Sequence, residues 1–161
     1  SRSRILSMSK IHERLYKSEN LQFINIRDNI SDIVNGLVEL YNGRSRLVTF
    51  DIECDNIQLT IDKAIPCTLI LNEVITNSLK YAFKDYTDSK ITIHINADAE
   101  NIKMIVKDNG IGFNLQSKNK ETNSIGLLSM QERAEIIHGN IKISSEEGFG
   151  TQILLKVPIS K

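Results

Sequence analysis

Polar side chains recur along one side of a segment that is otherwise apolar and helical in pattern. In TLILNEVITNSLKYAFKD, residues 68–85, the polar positions Glu73, Asn77, Lys80 and Tyr81 have spacings that place them on one helix face. Carboxylate and amide oxygens are hard donors that suit Mg²⁺, and a lysine can meet a phosphate as a point charge. A solvated outer face would show the same pattern, so the stripe alone leaves both interpretations open.

A second candidate group follows an alternating segment. In VKDNGIGF, Asp108 comes at the end of the alternation and is followed by Gly110 and Gly112. A carboxylate buried at a strand end needs a partner, and the exocyclic amino group of adenine would serve. Glycine lets the backbone approach a ligand closely. A plain β-turn is the alternative, since DNG is a common turn sequence.

Two further glycine segments complete the series. NSIGLLSM opens directly into a helical pattern, and the free N–H groups at a helix start favour anions, although an ordinary Ser or Asn cap would look the same. EEGFGTQI indicates a hairpin turn in the first place, with Thr151 as a strand residue. Each segment is weak evidence by itself.

Helical spacing of apolar residues predicts helices at residues 3–17 and 26–41, separated by the polar break YKSENLQFIN. In the segment before the long polar-striped helix, Thr60 could cap a short turn and Pro66 suits the first helical turn. A last helix is predicted in IGLLSMQERAEIIHG, with Gly139 as its stop.

Alternating residues predict the strands. One covers residues 47–54, a short extended piece covers DNIQLT, and a hairpin joins KITIHINA to NIKMIVKD through a turn at residues 98–101. A closing hairpin turns at Gly148 and Gly150. The predicted fold is an α/β (α+β) two-layer sandwich, with a mixed, mainly antiparallel sheet covered on one face by helices.

Composition narrows the class of protein. The 161 residues are 40% apolar and 25% charged, with a formal net charge of zero, so they predict one globular core and no broad basic face for nucleic acid. Cys54 and Cys67 fit neither a metal spacing nor a disulfide framework, which suggests reduced thiols in a cytoplasmic protein. The chain opens without Met, inside a helical pattern, so we expect a piece of a longer protein.

The order of the motifs carries a resemblance. NEVITNSLKYAF resembles the Asn box, DNGIGF the first glycine box, SIGLLSMQERA the second, and GFGT the last glycine motif of the ATP-binding catalytic domain of sensor histidine kinases. That domain belongs to a wider group with DNA gyrase, mismatch-repair ATPases and ATP-driven heat-shock chaperones. The match covers about residues 60–159 and implies a Bergerat-type ATP-binding fold with a flexible lid.

The resemblance implies roles for the helical stripe. Asn77 would ligate Mg²⁺, and Glu73 would polarise the attacking nucleophile or hold a Mg²⁺-bound water, so both are candidate metal residues. Lys80 would contact phosphate, which makes Glu73, Asn77 and Lys80 the candidate catalytic set. Tyr81 would lie near the adenine or the ribose.

It also implies a nucleotide pocket. Asp108 would accept from the adenine amino group with support from Thr151, through water or without it, and Gly110 and Gly112 would let the backbone pass the base. Residues 113–123, beginning with Phe113, would form the lid. The remaining nucleotide contacts would come from the second glycine box, in the order Ser124, Ile125, Gly126 and Leu127. Ser124 departs from the family pattern, which usually has Gly there.

The N-terminal part resembles the second half of the helical dimerisation region in one subclass of these kinases. We therefore predict a helical segment at residues 1–45 and an ATP-binding catalytic domain at residues 46–161. The phosphoacceptor histidine of that subclass lies on an earlier helix. His12 precedes an acidic residue, as phosphoacceptors often do, but its surroundings match the later helix; His94 and His138 are weaker candidates.

The implied function is transfer of the γ-phosphoryl group of Mg·ATP to a histidine upstream of this chain. Expected partners are ATP, the phosphoacceptor helix and a response-regulator receiver domain. We expect this piece to contact neither nucleic acid nor a membrane. The parent protein is expected to be a homodimer that is soluble or membrane-anchored. The alternatives are a hydrolytic ATPase or serine kinase of the same superfamily, with Glu73 as base, and a non-catalytic nucleotide-binding module, for which Ser124 is the evidence.

Overall fold

The computed structural model describes residues 2–17, 22–41, 43, 47–83, 85, 87–116 and 124–160, with the backbone alone for residues 11, 14–17, 124 and 125. In chain order the elements are α1 (Arg2–Lys17), β1 (Phe23–Asn25), α2 (Ile26–Leu40), β2 (Thr49–Cys54), β3 (Gln58–Thr60), α3 (Ile61–Asn77), a π-helical segment (Ser78–Ala82), β4 (Lys90–Ala97), β5 (Asn101–Asp108), α4 (Ser124–Ile136), β6 (Asn140–Glu146) and β7 (Gly150–Pro158).

Five strands form the main sheet, in the order β2-β4-β5-β7-β6. The β2–β4 pair is parallel and the other three pairs are antiparallel, which confirms the predicted mixed, mainly antiparallel sheet. The two predicted hairpins are β4–β5 and β6–β7. At the first turn the Asp98 carboxylate accepts from the backbone N–H groups of Glu100 and Asn101, which holds the turn closed.

Alternation along the strands buries one face of the sheet and leaves the other to solvent. On β4, Ile91, Ile93 and Ile95 are buried while the residues between them are only half-buried. Complete burial of one such side chain stabilises the fold by about 1.5–3 kcal/mol. The helices cover the buried face, as predicted. Within the described ranges, no helix is long and apolar enough to cross a membrane.

The first two helices share this core. α2 buries Ile30, Ile33 and Leu37, and its start is capped by Asn25, whose side-chain oxygen accepts from the backbone N–H of Asp28. α1 lies against both α2 and α3. The predicted domain boundary falls at residues 45 and 46, outside the described residues, and stays a prediction.

The polar break before α2 contains a strand that the sequence did not predict. β1 is three residues long and pairs antiparallel with β3, the predicted short extended piece. Three residues are too few to show a period of two. The partner in β3 lies more than thirty positions away, so no local signal could reveal the pair.

The long helix differs from prediction at both ends. α3 begins at Ile61, so Pro66 lies in the second turn of the helix and not in the first. In the second turn its missing N–H removes only one helical hydrogen bond. At the other end the helix widens into the π-helical segment, and Phe83 is already extended (φ −111°, ψ 124°). The expected helical run to residue 85 was therefore wrong.

The end of α4 also differs in detail. His138, and not Gly139, takes the left-handed conformation after the helix, with φ 55°. The N–H of Gly139 bonds to the Ala134 carbonyl at 2.8 Å and that of His138 to Glu135 at 2.9 Å, which is a Schellman-type ending. Gly139 is needed for space, because a Cβ there would lie 2.9 Å from the carbonyl oxygen of Lys156 on β7.

Candidate functional site

A cavity of about 310 Å³ opens between the helical layer and the ends of β5 and β7. This size is at the lower end of small-molecule pockets, roughly 300–1,000 Å³. Most of its wall is apolar. The predicted site residues that line it are Asn77, Tyr81, Asp108, Gly112, Phe113, Leu127 and Thr151.

Asp108 is the buried acid of the cavity, only 4% exposed. Its Oδ1 accepts from the backbone N–H groups of Gly110 (3.0 Å) and Thr151 (3.2 Å), and its Oδ2 accepts from the Ser78 hydroxyl (2.8 Å). Three donors offset the cost of burying the carboxylate. They also fix its plane, and Oδ2, with one donor, has capacity to accept from a ligand.

Ser78 is a site residue that the sequence interpretation missed. It is buried, lines the cavity, and donates its hydroxyl to Asp108. It opens the π-helical segment, and π-bulges occur often at functional sites. Its position next to Asn77 was the one available signal, since neither spacing nor composition marks it.

The π-helical segment also anchors the glycine loop after β5. The carbonyl oxygen of Ala82, its last residue, accepts from the N–H of Ile111 at 2.8 Å. A Cβ on Gly110 would lie 2.4 Å from that same oxygen, so only glycine fits between the two segments. The missing side chain makes room for protein backbone, and the expected role of passing the base stays a prediction.

Gly112 has a comparable role on the other side of the loop. Its φ is 59°, and a Cβ there would lie 1.9 Å from the Glu146 carbonyl oxygen. Thr151 supports Asp108 through its backbone N–H, without water, while its hydroxyl lies 2.8 Å from the hydroxyl of Ser145. Ser145 also accepts from the N–H of Phe113 at 2.9 Å, which ties the start of the predicted lid to β6. Residues 117–123 of the lid lie outside the described residues.

The polar stripe, which runs from α3 into the π-helical segment, divides between two environments. Asn77 and Tyr81 line the cavity, Tyr81 with 67% of its surface exposed, whereas Lys80 is exposed outside the lining. Glu73 lies one turn before Asn77 and also outside the lining. Both Nε and Nη2 of Arg4, on α1, donate to its Oε2, at 3.1 and 2.7 Å.

Glu73 nevertheless lies close to the second glycine box. A Cβ on Gly126, in the first turn of α4, would lie 3.5 Å from Oε1 of Glu73. Gly126 is not part of the cavity lining, unlike its neighbour Leu127. Of Ser124 and Ile125 the structure gives the backbone, which begins α4. Glu73 thus stands between α1 and the start of α4.

The residues present fit a Mg²⁺ ion that is shared with a substrate. In the part of the chain that is described, no group of three or more His, Cys, Asp or Glu side chains is placed to hold a metal ion. Mg²⁺ usually takes one or two protein oxygens and completes its shell with phosphates and water. Asn77 at the cavity wall, with Glu73 one turn away, meets that smaller requirement.

Two family models match the chain. One is described as "Histidine kinase-, DNA gyrase B-, and HSP90-like ATPase" and covers residues 62–161; the other is described as "Histidine kinase" and covers residues 1–41. The motifs quoted above fall inside the first match.

Similar proteins of known name include two from Bacillus subtilis (strain 168). The signal transduction histidine-protein kinase/phosphatase DegS is 32% identical over 124 residues, which is 76% of this chain and 31% of DegS. The sensor histidine kinase LiaS is 35% identical over 124 residues, 77% of this chain and 33% of LiaS. The chain spans about a third of the length of these relatives.

Solved structures share the fold. A histidine kinase domain from the Erythrobacter litoralis EL346 blue-light activated histidine kinase superposes with a TM-score of 0.84 at 16% identity, covering 99% of this chain and 74% of that one. The catalytic domain of histidine kinase ThkA gives a TM-score of 0.65 at 16% identity, covering 84% and 93%. At such identities the likeness establishes the architecture.

Proposed function

We propose the function of this chain from one premise: it belongs to the family of histidine kinase-, DNA gyrase B- and HSP90-like ATPases. The cavity binds ATP with the adenine against Asp108, and the domain transfers the γ-phosphoryl group to a histidine. The observation that carries the proposal is the Asp108 carboxylate, which is buried in a mostly apolar cavity and oriented by three donors. Such a group recognises an amine and rejects a carbonyl.

Each site residue has a task in this proposal. Oδ2 of Asp108 accepts from the adenine amino group, and Tyr81 covers the base or ribose at the mouth of the cavity. Asn77 ligates Mg²⁺, and Lys80 lies against phosphate. The second glycine box, Ser124 to Leu127, offers the amides at the start of α4 to the phosphates.

Mg²⁺, when bound, neutralises phosphate charge. Glu73 would orient the attacking nucleophile or a water that the ion holds. Because phosphoryl transfer demands little covalent chemistry from the protein, catalysis rests on positioning and on this charge neutralisation.

The acceptor is proposed to be a histidine outside residues 1–161, from which the phosphoryl group passes to an aspartate of a response-regulator receiver domain. Residues 1–45 then belong to the dimerisation and phosphoacceptor region, in keeping with the second family match. The parent protein is proposed to be a homodimer that works in the cytoplasm. After incubation with γ-labelled ATP, acid-labile phosphate on His12 would contradict this assignment of the acceptor.

Nucleotide choice tests the binding site. Calorimetry should show that the chain prefers ATP to GTP, because guanine presents a carbonyl where adenine has its amine. Asp108→Ala should weaken ATP binding about tenfold to a hundredfold, or roughly 1–3 kcal/mol. Asp51→Ala is the matched control, since that carboxylate pairs with Lys90 at the edge of the sheet. Equal affinities for ATP and GTP would contradict the proposal.

A further inference from the structure

Buried polar side chains join α1 to α3. The Ser7 hydroxyl donates to Oδ1 of Asn72 at 2.8 Å, and Nδ2 of Asn72 donates to the Ser3 hydroxyl at 3.3 Å. All three residues are buried, at 5% exposure or less for Ser3 and Asn72 and 6% for Ser7. Beside them lies the ion pair of Arg4 with Glu73.

The ion pair leaves the two oxygens of Glu73 in different positions. Two guanidinium N–H groups converge on Oε2, while Oε1 lies next to Gly126 at the start of α4. The Glu73 side chain is 16% exposed and that of Arg4 is 38% exposed. A charge on α1 thus reaches a carboxylate that the proposed function places at the phosphate end of the nucleotide site.

Among the α1 residues whose side chains are described, little apolar surface is buried. α2 buries Ile30, Ile33 and Leu37, whereas on α1 Ile5 is 71% exposed and Leu6 is 38% exposed, and Met8 is partly buried against the core. When the helices separate, the polar groups of the α1–α3 contact form hydrogen bonds to water instead, so their net contribution to docking is modest. Apolar side chains have no such compensation when they become exposed to water.

We propose that Arg4 and the Mg²⁺-bound nucleotide compete for Glu73, so that docking of α1 and Mg²⁺-dependent nucleotide binding oppose each other. The inference rests on the proposed function. A carboxylate neutralised by a guanidinium is a weaker partner for Mg²⁺ or its water, and two cations at one carboxylate repel at short range. When α1 separates, Glu73 becomes free to serve the site.

Competition of this kind is reciprocal. If docked Arg4 lowers the affinity for Mg·ATP by some factor, bound Mg·ATP must loosen α1 by the same factor. The competition can therefore be measured in two independent ways, as the affinity for the nucleotide and as the amide exchange of α1.

The first measurement is calorimetric, with ATP in the presence of Mg²⁺ and again in EDTA. The ratio of the two affinities is the Mg²⁺-dependent gain. Arg4→Met keeps an unbranched side chain but removes the charge, and should raise the gain about fivefold or more. Lys10→Met is the matched control, because Lys10 is a cation on the same helix that pairs with Glu13. It should leave the gain unchanged.

Repeating the Arg4→Met substitution in a Glu73→Gln variant tests whether Arg4 acts through Glu73. In Glu73→Gln the carboxylate is absent, so adding Arg4→Met should change the gain by less than about twofold. An equal rise in both backgrounds would show that Arg4 acts elsewhere and would overturn the inference, as would a gain that Arg4→Met lowers or leaves unchanged.

Amide exchange gives the second measurement. Exchange in α1 should quicken when the wild-type chain binds Mg·ATP, whereas in Arg4→Met the nucleotide should leave the exchange rate of α1 unchanged. Unchanged or stronger protection of wild-type α1 with Mg·ATP would overturn the inference. Binding in EDTA separates the two proposals: a chain that binds no adenine nucleotide contradicts the proposed function, whereas one that binds ATP but ignores Arg4 contradicts only the competition.

Discussion

At the scale of single residues, the sequence predicts the buried carboxylate of Asp108 but not its hydrogen-bond partner Ser78. The carboxylate at the end of a predicted strand, where DNG begins, indicated a buried acid, and the structure buries it. Its partner Ser78 follows Asn77 on α3 but is 30 positions from Asp108 in sequence, so the hydrogen bond between them depends on packing that no local pattern encodes. Arg4 is hidden in the same way, at 69 positions from Glu73.

Ser78→Ala should weaken ATP binding about tenfold and narrow the preference over GTP. The substitution removes the one side-chain donor to Oδ2 of Asp108 among the described residues, at a cost of roughly 1–1.5 kcal/mol, and leaves the carboxylate less firmly oriented. Calorimetry with ATP and with GTP measures both the affinity and the preference. Ser89→Ala, at another buried serine away from the cavity lining, should bind ATP as wild type does. An unchanged nucleotide preference in Ser78→Ala would show that Asp108 needs no side-chain support.

At the scale of elements, periodicity predicted most helices and strands but not their irregular parts. One sequence pattern is compatible with both a π-helical and an α-helical turn. The π-helical form of Ser78–Ala82 therefore depends on the contacts that this segment makes with the rest of the chain. The carbonyl of Ala82 meets the N–H of Ile111, and the serine meets Asp108. The predicted helix end failed because these tertiary contacts outweigh local propensity.

Gly112→Ala should destabilise the chain by about 3 kcal/mol or more, because a Cβ at positive φ would also overlap the Glu146 carbonyl. Gly148→Ala is the matched control: its φ is 83°, but a Cβ there meets nothing within 4 Å, so a loss of about 1 kcal/mol is expected. Urea unfolding followed by circular dichroism measures both. Similar losses in the two variants would mean that the overlap at Gly112 relaxes without cost.

At the scale of the whole molecule, composition correctly indicated one hydrophobic core. Cys54 and Cys67 were predicted alike as reduced thiols, and the structure separates them: Cys67 is fully buried on α3, while Cys54 is half-buried on β2. Burial raises the pKa of the Cys67 thiol to about 12, against a nearby lysine that lowers it slightly. Because the unfolded thiol ionises near 9.0, this group stabilises the fold below that pH and loses its contribution as the pH rises toward 12.

Thiol labelling should therefore report on global unfolding. At pH 8.5 in native conditions a maleimide or iodoacetamide should modify Cys54 first, and Cys67 only as fast as the chain unfolds. Cys54→Ser isolates the buried site, and mass spectrometry follows its reaction. Reaction of Cys67 at the rate of an unstructured thiol would contradict its place in the core.

The parallel pairing of β2 with β4 has a consequence for the order of folding. Each residue pair in this ladder joins positions about 40 apart, while the β4–β5 and β6–β7 hairpins close over a few residues. Closing the longer loop costs more chain entropy before any contact repays it. β2 is also an edge strand, so nothing else in the main sheet holds it. In pulse-labelled refolding, its amides should gain protection after those of both hairpins; simultaneous protection would point to a single concerted step.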